Sequence, residues 1–152
     1  MTLRDEINSA MKQAMRDRAA DRLSTLRLII AAIKDRDIAA RGDGAEEGVG
    51  DAEVLSILSK MVKQRQESAR TYEEGGRLDL AERELSEITV IEDFLPKQLS
   101  DAEIVAAIEA AVADTGASSI RDMGKIMGAL KSKYTGQMDF GKVGPMVKNQ
   151  LS

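Results

Sequence analysis

An all-α fold is predicted for this chain, and three observations predict it. Helix-forming Ala, Leu, Met, Glu, Lys and Arg abound, while only two phenylalanines, two tyrosines and no tryptophan occur, so the β-branched and aromatic alternation of strands is almost missing. Apolar residues recur three and four apart along most of the chain, the period of a helix that buries one face. Capping residues, glycines and a proline then punctuate the pattern at intervals suited to helices. The expected architecture is an N-terminal antiparallel helical bundle or hairpin over residues 1–95, followed by a small three-helix C-terminal domain over residues 97–152.

The first helix is expected from about Leu3 to Arg16, capped by Thr2, with Leu3, Ile7, Ala10, Met11 and Ala14 on one face. A second spans about Asp21 to Ala40, its stripe being Leu23, Leu26, Ile30 and Ile33. Arg41 to Gly50 contains four glycines without periodicity and reads as a mobile loop. Asp51 and Glu53 suit the positive end of a third helix's dipole. Its apolar face runs through Val54, Leu55, Leu58, Met61, Val62, Ala69 and Tyr72, and Gly75-Gly76 stop it. A fourth helix carries Leu78, Ala81, Leu85, Ile88 and Leu95. Two long amphipathic helices joined by a two-glycine turn form an antiparallel hairpin.

Pro96 disfavours helix at Leu95 and marks the boundary between the two parts. Ser100-Asp-Ala-Glu103 is a capping box for a fifth helix using Ile104, Val105, Ile108 and Val112, which ends at Gly116. Ser118 to Asp122 opens a sixth, running to about Lys133 with Ile120, Met123, Met127, Leu130 and Tyr134 inside. After Gly136 a last helix covers about Asp139 to Leu151. Pro145 leaves two readings of it: a rod kinked at a cost of about 3 kcal/mol, or a fresh start capped by Gly144 with Pro145 as first helical residue.

The chain of 152 residues has neither cysteine nor histidine. That excludes thiolate chemistry, Ser-His-Asp or Cys-His catalysis and cysteine- or histidine-based zinc sites. Glu82, Glu84, Glu87, Glu92 and Asp93 crowd the fourth helix, but helical di-metal sites take a Glu-x-x-His pair from two helices. No metal is expected, no Gly-rich nucleotide loop is present, and no cofactor is expected. The first residues show no apolar core of signal-peptide length, and no apolar run approaches the roughly 20 residues of a membrane span. No membrane partner and a cytoplasmic compartment are therefore expected.

The net charge of −4 hides an asymmetry. Residues 117–152 hold six cations against two acids, a surplus of four, which leaves −8 on the rest of the chain. A split of this kind suits one end to a polyanion. At 100° per residue Arg121, Lys125, Gly128 and Ser132 share one face of the sixth helix, with Gly124 beside them and Lys131 following. Cations flanking side-chain-poor positions let a sugar–phosphate backbone approach the helix. The same Gly124-x-x-x-Gly128 spacing also suits close contact with a neighbouring helix. On the third helix Arg65 falls among apolar residues and must find a carboxylate or snorkel; Glu84, near the right height on the fourth, is the expected partner.

These segments together resemble the YqeY family, stand-alone relatives of the tail domain of the GatB subunit of the tRNA-dependent amidotransferase. The residues that carry the likeness are Lys60-Met-Val-Lys-Gln-Arg-Gln-Glu-Ser68, Tyr72-Glu-Glu-Gly-Gly-Arg77, Asp79-Leu-Ala81, Phe94-Leu-Pro-Lys-Gln-Leu99, Asp122-Met-Gly-Lys-Ile-Met-Gly128 and Val147-Lys148. The resemblance implies a larger helical bundle followed by a three-helix domain. It also implies tRNA as partner through the Gly124, Lys125, Gly128 and Lys131 positions. A carbon–nitrogen ligase activity with glutamine as amide donor would belong to a complex, because a chain this short has no counterpart of the catalytic and ammonia-channelling regions. The expectation is a non-catalytic tRNA-binding module; the alternative is a protein-interaction adaptor without a nucleic-acid ligand. Few aromatic residues are available to stack on single-stranded bases, so shape and phosphate recognition of a folded RNA fits better.

Overall fold

The structure, a computed structural model, describes residues 2–42, 44 and 48–151. Among them it contains seven α-helices and no strand: α1 (Leu3–Arg16), α2 (Ala20–Gly42), α3 (Asp51–Glu74), α4 (Leu78–Glu92), α5 (Asp101–Thr115), α6 (Met123–Lys133) and α7 (Phe140–Leu151). A 3₁₀ turn, Ile120–Asp122, precedes α6. Two compact units result, Met1–Leu95 and Pro96–Ser152. The part of the expected loop at 43 and 45–47 lies outside the described residues, and Arg41 and Gly42 belong to the end of α2.

In the first unit, Thr2 accepts from the Asp5 amide while the Asp5 carboxylate accepts from the Thr2 amide. This capping box holds two amides that helix geometry leaves without partners. Ile7 and Ala14 of α1, Leu26, Ile29 and Ile33 of α2, Val54, Leu58 and Met61 of α3 and Ile91 of α4 build one core. The turn from α1 to α2 is closed by the Ala19 amide donating to the Ala14 carbonyl at 3.0 Å, with Arg18 left-handed at φ 55°. α3 and α4 form the hairpin. Gly75 and Gly76 end α3 in a Schellman turn: Gly76 has φ 74°, its amide reaches the Glu73 carbonyl, and the Arg77 amide reaches that of Tyr72 at 2.8 Å.

The face that α4 turns inward departs from the expected stripe. Ala81, Ile88 and Ile91 are buried, whereas Leu78 and Leu85 are 63% and 47% exposed. Positions 81, 84, 88, 91 and 95 follow one i, i+3, i+7 ladder, and Leu78 and Leu85 lie off its edge.

The second unit begins beyond Pro96. Ser100 and Glu103 form the expected capping box, and Gly116, at φ 66°, ends α5. Ile104, Ala107, Ile108 and Ala111 of α5 meet Ile126 and Leu130 of α6, Met138, and Val143 and Val147 of α7. Val105 of α5, expected inside, is 39% exposed. Ile120, on the 3₁₀ turn ahead of α6, is 46% exposed, whereas Ile126 is fully buried. α7 is continuous through Pro145. Helix tolerates the proline there because it lies exposed, and Gly141, whose carbonyl loses its i+4 donor, is exposed as well and can be hydrated.

Candidate nucleic-acid interface

The orientation of α6 follows from its two deepest anchors. Ile126 and Leu130 are 0% and 1% exposed, so the opposite face is turned to water. Arg121 on the 3₁₀ turn, and Gly124, Lys125, Gly128, Lys131 and Ser132 on α6, are all exposed. A Cβ built at Gly124 or Gly128 would meet nothing within 4 Å. No neighbouring helix therefore rests on these glycines among the described residues, which removes the close-packing reading of their spacing. Gly144 on α7, by contrast, is buried, and Met123 Cε lies 3.8 Å from the position of a Cβ there.

Charge is sorted by helix in this unit. α5 carries Asp101, Glu103, Glu109 and Asp114 and no cation, while α6 carries Lys125, Lys131 and Lys133 and no acid. Lys142 is tied to Asp101 at 3.0 Å, and the Lys133 ammonium stands 5.5 Å from the Tyr134 ring centre. Arg121, Lys125 and Lys131 form no ion pair among the described residues. The result is a helix face with unpaired cations around two positions lacking a side chain, open to solvent along its length. It can neutralise phosphates at short range, since nothing stands between the helix backbone and an approaching chain.

The first unit holds a structural pair that differs from the expected one. Arg65 Nε donates to Glu87 Oε2 at 2.9 Å, and its Nη1 donates to the Met61 carbonyl at 3.2 Å. Glu87, not Glu84, is the partner. The hairpin turns about Gly76, between the end of α3 at Glu74 and the start of α4 at Leu78. Residues 65 and 87 are equidistant from that point, whereas Glu84 falls nearly one turn short. Reflecting the chain about the second glycine instead of the first would have found the partner in the sequence.

A second polar cluster had no local signal. Arg4 donates from both terminal nitrogens to the Asp37 carboxylate at 2.8 Å, and Nη2 also reaches the Val49 carbonyl at 3.0 Å. The Val49 amide donates back to Asp37 Oδ1 at 2.9 Å. Asp37 is held down to about 2, first by the Arg4 hydrogen bonds and then by the Val49 amide. This latch joins α1, α2 and the residues leading into α3, separated by 33 and 45 positions.

Among the described residues no group of three or more carboxylates could hold a metal, and no helix is long and apolar enough to cross a membrane. A surface depression of about 790 Å³ between α2 and α4 is lined by Asp21, Arg22, Glu82, Arg83 and Glu87 among others. Ion pairs engage much of its lining: Arg22 binds Asp93 at 2.8 Å and Glu87 binds Arg65.

Comparison with known proteins gives a consistent result. A family model described as Yqey-like protein matches residues 4–151. An uncharacterised protein of Schizosaccharomyces pombe is 30% identical over 95 residues, covering 62% of this chain and 73% of its own. Altered inheritance of mitochondria protein 41, mitochondrial, of Lachancea thermotolerans is 33% identical over 100 residues, 64% of this chain and 51% of its own. The protein of the same name from Meyerozyma guilliermondii is 38% identical over 85 residues, 56% of this chain and 42% of its own. The chain thus spans about half or less of these two mitochondrial relatives. Their names overturn the cytoplasmic expectation. That expectation rested on the lack of an apolar leader, whereas mitochondrial transit segments are amphipathic and Arg-rich. An apolarity test is blind to such a signal.

Proposed function

This chain belongs to the YqeY-like family, and from that premise we propose that it is a non-catalytic tRNA-binding module. The observation that carries the reading is the exposed face of Arg121, Gly124, Lys125, Gly128, Lys131 and Ser132, cationic, unpaired and open at both glycines. Phosphates settle along the cations while the glycine positions admit the sugar–phosphate chain close to the helix. The four aromatic side chains of the whole molecule offer little for base stacking, so a folded RNA recognised by shape suits it best. Any carbon–nitrogen ligase activity with glutamine as amide donor resides in an assembly to which this chain contributes RNA grip. We further take residues 1–95 and 97–152 as separate domains, for which limited proteolysis near Pro96 is the check.

The test is an electrophoretic shift with purified tRNA across a salt series. With about four cations on phosphates, affinity falls roughly 100-fold between 50 and 200 mM salt, taking duplex slopes as the guide. Lys125→Ala reduces the log–log slope by about one. Affinity indifferent to both salt and Lys125 rejects the reading. Capture of a protein partner by the same surface, with no RNA present, would support the adaptor alternative instead.

A further inference from the structure

We propose that the outer face of α2 is a second RNA-backbone contact of this protein; this rests on the tRNA reading of α6. α2 shows little one-sided amphipathicity because apolar residues occur around most of its circumference, yet its buried side is well defined by Leu26, Ile29, Ile33 and Ala40. Opposite them lie Arg27, Lys34 and Arg41, seven residues apart, all exposed. Seven residues rotate a helix by nearly two full turns and advance it about 10.5 Å, so the three cations form a single row. Ser24, Ala31 and Ile38 run beside that row and are also exposed.

The cations of this row differ from the arginines that tie the helices of this unit to one another. Arg4, Arg22, Arg36 and Arg65 each hold a carboxylate at 2.6–2.9 Å. Arg27, Lys34 and Arg41 form no such pair among the described residues. Asp35 borders the face on its far side, about 80° round from Arg27 by helix geometry, next to Leu28. The arrangement is similar to that of α6: unpaired cations along one flank, with the small Ser24 and Ala31 beside them. A lipid surface asks for a broad apolar face with large residues, and here Ile38 and Leu28 are the only large ones, 63% and 45% exposed. A polyanion with regularly spaced charges is the better complement.

The experiment compares the full chain with Arg27→Ala/Lys34→Ala, with its stem-preserving companion Arg27→Gln/Lys34→Gln, and with Lys125→Ala/Lys131→Ala. The probe is purified tRNA, and thermal melts confirm that each variant is folded. The α2 double variants should each lose at least roughly tenfold in affinity at 100 mM salt and about two from the log–log salt slope. Loss confined to the α6 variant overturns the α2 contact and leaves the tRNA reading standing. Loss confined to the α2 variants overturns the α6 reading and, with it, the assignment of α2 as a second contact. No binding by the unmodified chain rejects both. If the α2 variants leave tRNA binding unchanged but release the chain from phosphatidylserine vesicles, the face is a membrane contact and the proposal fails.

Discussion

Asp37→Asn is the substitution whose effect can be worked most fully from the geometry. The native carboxylate accepts two bonds from Arg4 and one from the Val49 amide, all between 2.8 and 2.9 Å. Its pKa falls from 3.8 to about 2. By linkage such a difference corresponds to at most about 2.4 kcal/mol. Asp37 is 14% and Arg4 31% exposed, so water screens part of this and about 1–2 kcal/mol is expected at neutral pH. The sign follows from the depression: the contribution is complete above pH 3.8 and disappears as pH falls through about 2. Urea unfolding of the native chain and Asp37→Asn should therefore differ by that amount from pH 7 to pH 5, and the gap should close toward pH 2. Asp35→Asn, exposed on the same helix, serves as control and should change stability by less than about 0.5 kcal/mol. A gap that stays constant down to pH 2, or one no larger than the control's at pH 7, refutes the latch as an electrostatic contributor.

Three further outcomes are expected. Glu87→Ala strands a half-buried guanidinium and should destabilise by roughly 1.5–3 kcal/mol, while Glu84→Ala stays within about 0.5 kcal/mol; chemical denaturation of both decides the hairpin register. Gly128→Ala adds a methyl group where nothing lies within 4 Å, so it should raise stability by about 0.5–1 kcal/mol while weakening tRNA binding in the shift assay; unchanged binding in a stabilised variant would mean the RNA does not approach there. Arg18→Gly relieves a side chain held at φ 55° and should stabilise by about 1 kcal/mol, as read from the melting midpoint.

What could be read in the sequence was what neighbouring residues decide among themselves. The Thr2 and Ser100 caps and the stops at Gly76 and Gly116 are matters of a few residues, and they stand where the pattern puts them. The α6 face was legible for a related reason: a short helix with apolar anchors leaves its other side to solvent. Contacts between distant helices were not legible. The partner of Arg65 depends on where the hairpin folds back, and the face of α4 on what α2 and α3 present to it. The latch of Arg4, Asp37 and Val49 joins three segments with no shared motif. The α2 cations were hidden because that helix has apolar residues nearly all round, so periodicity alone could not separate its inside from its outside.

The turn at Gly76 makes the α3–α4 hairpin behave like a folded ruler. Its two arms are graduated from one crease, and every mark on one arm has a fixed counterpart on the other. One residue added to the first turn of the second arm would slide the rest of that scale, swinging each later mark by about 100°. Arg65 would then face a neighbour of Glu87, and Ile91 would leave the interior. Changes of length here are tolerable only in steps close to a whole helical turn, whereas substitutions that leave the crease alone can be absorbed one mark at a time.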